Sequence, residues 1–121
     1  MLSLPPALRI FLCTADADLR KSFDGLAQMV REFLGADPLS GHLFVFRSKR
    51  GDRVKLLYWD SDGLAIWYKR LEQGTFRFPQ ATAGHSVEMR AADLAMLLDG
   101  VDLDSVKRRK RYRRPATSTP C

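Results

Sequence analysis

The chain has 121 residues, 45% hydrophobic and 28% charged, which suits a single domain with one core and excludes wholesale disorder. Its net charge of +6 is concentrated: residues 107–114, KRRKRYRR, carry seven of the 20 basic residues, while residues 1–106 hold 13 basic against 14 acidic ones. Cys13 and Cys121, the two cysteines, have no metal-ligand spacing, and no apolar run approaches the ~20 residues that span a bilayer, so a disulfide scaffold, a zinc module and a membrane protein are all disfavoured.

The N-terminal MLSLPPALRIFLCTADA lacks leading basic residues and is interrupted by Pro5, Pro6 and Arg9, so it is not read as a signal peptide. Leu8–Thr14 reads as a strand. Asp16 and Asp18 are candidate N-caps for a long helix reaching Leu34. Leu19, Phe23, Leu26, Ala27, Val30 and Leu34 recur at helical spacing as its apolar face. Gly25 lies within that helix, where it would permit close packing on a sheet, and Gly35 and Pro38 end it.

Leu43–Ser48, Arg53–Asp60, Leu64–Leu71 and Thr75–Phe78 then read as four strands. SKRGD, DSDG and EQG separate them, with Gly where positive φ is easiest, and such short loops imply antiparallel neighbours. Ser86–Arg90 predicts a further short strand, and Ala91–Asp99, with Leu94, Leu97 and Leu98, predicts a helix capped by Gly100. The expected fold is α+β: an antiparallel sheet of five to six strands, one long helix on a face, and a short C-terminal helix. Residues 1–106 form one domain in this reading, and residues 107–121 form a basic, disordered tail.

No phosphate loop or nucleophile elbow is present, and no catalytic constellation emerges. His42 and His85 lie far apart in sequence and read as turn or cap residues. Asp60 and Asp62 in WDSDG form the closest carboxylate pair. A Mg²⁺ nuclease is the sharp reading, and a hairpin turn is the ordinary one. RGD at 50–52 reads as a turn. No metal, cofactor or small-molecule substrate is expected.

Arg47, Lys49, Arg50, Arg53 and Lys55 surround the first hairpin loop with only Asp52 against them. They are the candidate phosphate contacts inside the fold; the alternative is a solvated hairpin tip. The tail adds Lys107, Arg108, Arg109, Lys110, Arg111, Arg113 and Arg114 as a salt-sensitive, non-specific DNA contact. Alternation leaves the sheet apolar on both faces. One face should take the long helix, and Trp59 and Trp67 are assigned to the other, as core or as a partner-binding surface.

DxRKxxDGLA (Asp18, Arg20, Lys21, Asp24, Gly25, Leu26, Ala27), SGHLFVF (Ser40–Phe46), RGDRxKxLYWD (Arg50–Asp60) and YKRLExGxFxxP (Tyr68–Pro79) follow one another in an order that resembles the Orf2, or TnpB, accessory family of IS-sixty-six bacterial insertion sequences. The resemblance covers roughly residues 4–103. Ser22 stands where a Gly is common, and Ala65 where a larger residue is common. The resemblance implies a bacterial protein that assists transposition while a separate transposase performs the chemistry; the two cysteines, without a metal-ligand spacing, suit the reducing cytoplasm, with the nucleoid as the protein's place when bound to DNA. It supplies no active site, and the tail lies outside it.

The expectation is therefore a non-enzymatic accessory protein whose partners are DNA at the element ends, the transposase and other proteins of the element. The alternative is a pure adaptor that docks on the transposase without touching DNA.

Overall fold

Period-two alternation sorts the side chains of the central strands onto two opposed core layers. The computed structural model describes residues 8–15, 17–79 and 84–99. Its elements are β1 (Ile10–Cys13), α1 (Phe23–Phe33), β2 (Leu43–Arg47), β3 (Arg53–Asp60), β4 (Gly63–Arg70), β5 (Ser86–Met89) and α2 (Ala91–Asp99). They form a five-stranded sheet in the order β4-β3-β2-β1-β5 with a helix on each side.

In β2, Leu43 and Val45 face one layer while Phe44 and Phe46 face the other. Val54 and Leu56 of β3 join the first layer with Leu94 and Leu97 of α2; Leu57 joins the second with Leu26, Ala27, Met29 and Val30 of α1. Burying each large apolar side chain in these layers contributes roughly 1.5–3 kcal/mol before the entropy cost of ordering it.

The sheet is mixed, not antiparallel throughout. β1 pairs parallel with β2 (Ile10↔Leu43, Phe11↔Phe44, Leu12↔Val45), and the other pairings are antiparallel. Short glycine loops dictate antiparallel neighbours only where they occur. The stretch between β1 and β2 contains α1, and a helical crossover can return the chain in the same direction.

The helix α1 is shorter than the spacing predicts. Its N-cap is Ser22, with no side-chain capping bond, and Leu26 N–H donates to the Ser22 carbonyl at 2.9 Å. Asp18 instead closes a local turn: one carboxylate oxygen accepts from the Arg20 backbone N–H at 3.0 Å, and the Arg20 guanidinium forks onto both oxygens. That turn still delivers Leu19 to the core. Asp16 lies outside the described residues. Phe23, expected on the apolar face, is exposed, and Met29 is buried in its stead. Gly25 does not admit the sheet; a Cβ there would stand 3.0 Å from the Cβ of Lys21 in the preceding turn.

Thr75–Phe78 is not a strand either. It is an extended segment laid beside the β2–β3 turn, tied by Phe76 N–H to the Gly51 carbonyl at 2.8 Å. Gly51 suits this turn by its φ of +80°; a Cβ there would meet the Thr75 Cβ at an ordinary 3.5 Å, so the positive φ and not crowding favours glycine. In the β3–β4 turn the positive φ falls on Ser61 (+56°) and not on Gly63.

The C-terminal helix begins as read. Asp93, at its third position, reaches back to accept the Arg90 backbone N–H at 3.3 Å, half of a capping box. The Arg90 guanidinium beside it holds the Asp93 carboxyl below its ordinary range. Gly100 and the tail from 107 onward lie outside the described residues. Among the described residues no helix is long and apolar enough to cross a membrane.

Candidate nucleic-acid interface

The β2–β3 turn, the end of β4 and the 75–78 segment meet at one end of the sheet. Arg53 pairs with Arg70 across the β3–β4 ladder. Leu71 N–H donates to the Asp52 carbonyl at 2.8 Å, so the chain leaving β4 is pinned to the turn. Arg77 lies between Phe76, bonded to Gly51, and Phe78, whose ring lies 5.8 Å from the Arg47 guanidinium carbon.

The five hairpin cations divide into two groups. Lys49 and Arg50 are exposed at the turn, and Arg53 is half-buried at the start of β3. Lys55 and Arg47 are structural. Lys55 is only 8% exposed; its ammonium donates to the Lys21 carbonyl at 2.9 Å and sits 4.7 Å from the centre of the Tyr68 ring. It ties β3 to the entry of α1, with its methylene stem in the core. The Arg47 guanidinium donates to the Thr14 carbonyl at 3.1 Å and packs over Phe78. Lys55 is thus withdrawn from any phosphate, and Arg47 is engaged within the fold.

Two residues join the site that the sequence reading left out. Arg70 stands opposite Arg53, and Arg77 is exposed. Both were hidden because neither is near the turn in sequence: hairpin register brings Arg70 there, and the Phe76–Gly51 bond brings Arg77. Arg70 pairs with Glu72 at 3.3 Å between two well-exposed side chains, a weak tie. Among the described residues no carboxylate forms an ion pair with Lys49, Arg50, Arg53 or Arg77. Asp52 accepts from the Ser48 hydroxyl at 3.3 Å, which fixes the turn. Directly opposed like charges cost stability in an antiparallel pair, and here Arg53 and Arg70 are so opposed.

The tryptophans do not form one surface. Trp59 pairs with Leu64 and lies on the α1 side, whereas Trp67 pairs with Leu56 and packs against the α2-side core. Directly paired residues share a face, so the register places the two indoles on opposite sides of the sheet. Both are half-buried.

The remaining titratable groups have structural partners. His42 Nδ1 accepts the Arg9 backbone N–H at 3.0 Å, and Arg9 pairs with Glu88 of β5 at 2.6 Å, which holds that carboxyl below its usual range. The His85 ring meets Phe33 edge-on. Burial pushes the Cys13 thiol up, the opposite of an activated nucleophile. Asp60 and Asp62 flank Ser61 in the β3–β4 turn, and among the described residues no three His, Cys, Asp or Glu side chains converge as a metal site.

Comparison with known proteins identifies a family. A family described as IS66 Orf2 like protein matches residues 8–108. The uncharacterized protein y4jC of Sinorhizobium fredii (strain NBRC 101917 / NGR234) is 41% identical over 108 residues, 89% of this chain and 91% of that protein. The uncharacterized protein y4hO of the same strain is 38% identical over 95 residues, 78% and 82% of the two chains. No solved structure matches.

Proposed function

The chain belongs to the IS66 Orf2-like family, with an accessory role in insertion-sequence transposition, and on that premise we propose that it is a non-catalytic protein binding DNA of the element through the basic end of its sheet. The observation carrying this reading is the convergence of Lys49, Arg50, Arg53 and Arg77, none of which has a carboxylate partner among the described residues. Cations left unneutralised on one rigid edge suit a polyanion, because phosphate contacts position a duplex and release its counterions. Lys49, Arg50, Arg53 and Arg77 would touch phosphates. Lys55 and Arg47 would hold the turn in place beneath them.

The basic tail, Lys107–Arg114, would add affinity without sequence preference. The transposase of the element is the natural protein partner. An adaptor reading built on a joint tryptophan face has less support, since Trp59 and Trp67 lie on opposite sides of the sheet.

The test is binding to terminal-repeat DNA and to a scrambled duplex, using the full chain, an Arg50→Glu/Arg53→Glu variant and a variant with the seven tail cations replaced by Ala. On this reading the hairpin variant loses affinity even with the tail intact. Loss confined to the tail variant would rule the fold out as a DNA-binding surface.

A further inference from the structure

The outer edge of β4 is built to pair with itself. We propose that two copies of this chain associate through antiparallel β4–β4 pairing about a two-fold axis at Ile66, continuing the sheet across both subunits. β4 is an eight-residue edge strand, and among the described residues nothing pairs with its outer side. The other edge, β5, has four residues and carries the Arg9–Glu88 ion pair. Long apolar edges are normally blunted by charge, proline or a bulge. The middle of β4, Leu64-Ala65-Ile66-Trp67-Tyr68, has none of these, its register against β3 is unbroken, and Tyr68 is 49% exposed.

The hairpin sets which groups face outward. Asp60 and Gly63 flank a two-residue loop. Residues flanking such a loop exchange both hydrogen bonds, and the pattern then alternates along the strands. The backbone N–H and C=O of Leu64, Ile66 and Tyr68 therefore turn away from β3. A two-fold axis at Ile66 pairs these three with one another: Ile66 with Ile66, Leu64 with Tyr68.

The occupant is identified by charge and size. The stretch from the turn along β4 is acidic at its start (Asp62, in the turn), apolar in the middle and basic at its end (Lys69, Arg70). Antiparallel pairing about Ile66 brings Asp62, in the turn just before β4, beside Arg70 of the second copy at both ends of the ladder. It also sets the small Ala65 against the large Trp67, and Leu64 over the exposed Tyr68. Paired residues keep their faces, so both α1 helices lie on one side of the extended sheet. A shift of one pair along the strand in either direction would lose the Asp62–Arg70 match. The added carboxylate would also relieve the Arg53–Arg70 opposition within each subunit.

Sedimentation equilibrium of the full chain, freed of nucleic acid, tests this across a concentration series. The expected result is a reversible dimer. Ile66→Lys, which puts two ammonium groups at the axis, should raise the dissociation constant more than about tenfold while its circular dichroism stays native. Asp62→Arg and Arg70→Asp should each weaken the dimer, and the double exchange should restore it, since it recreates the pairing with the signs reversed. A wild-type chain that stays monomeric, a dimer indifferent to Ile66→Lys, or a double exchange as weak as the single variants would overturn the proposal.

Discussion

The two ends of the β3–β4 hairpin are made from the same two strands and carry opposite charge. At one end Arg53 faces Arg70, and the β2–β3 turn and the 75–78 segment close around them. At the other, Asp60 flanks a bare two-residue turn that contains Asp62, with Ser61 in a left-handed conformation. The acidic end suits its turn locally, because Asp is favoured in turns whatever the function, and only the proposed pairing of two copies gives Asp62 a further role. The basic end is not accounted for in this way, since nothing about a turn requires Arg53 and Arg70 to stand opposed with Lys49 and Arg50 beside them. Charge that secondary structure explains carries little functional information, and charge that opposes stability carries more.

The comparison breaks first at Lys55, which reads as part of the basic cluster and is not. Lys55→Ala should destabilise the fold by about 2 kcal/mol, because it strands the Lys21 carbonyl and removes a buried stem. Urea unfolding checks this, and Lys49→Ala should leave the midpoint unchanged. Next comes the turn itself. Gly51→Ala should cost about 1–2 kcal/mol through its positive φ, read in the same titration.

Arg77→Ala sharpens the functional half of the comparison. It should weaken DNA binding by about fivefold at low salt, with unfolding unaltered, since its side chain is exposed. The smallest effect concerns the turn before α1. The Arg20 guanidinium and backbone N–H hold the Asp18 carboxyl at about 2, below its ordinary 3.8. Its folded-state value is lowered, so its contribution is fully present above the ordinary value and is lost as pH falls toward 2. An NMR titration should show that low midpoint, and Arg20→Ala should return it toward the ordinary range.

Much of the fold was legible. β3 and α2 begin and end where alternation, glycine turns and the leucine stripe place them. The parallel β1–β2 pairing was not, because no short loop announces it. The start of α1 was misplaced because Asp18 makes a turn bond that competes with capping. The site was half legible. Lys49, Arg50 and Arg53 are where the spacing put them, but charge alone hid that Lys55 points into the core. The opposed tryptophans could have been found. A two-residue turn after Asp60 fixes Trp59 opposite Leu64, and Trp67 must then take the other face.

The central claim is that the fold, and not only its tail, contacts DNA. The most direct measurement is fluorescence-anisotropy binding of full-length wild type and Arg50→Glu/Arg53→Glu to one terminal-repeat duplex across a salt series. Two lost phosphate contacts should lower the slope of log affinity against log salt by about 2 and weaken binding on the order of a hundredfold at low salt. Identical slopes and affinities for the two proteins would contradict the account and assign DNA contact, if any, to the tail alone.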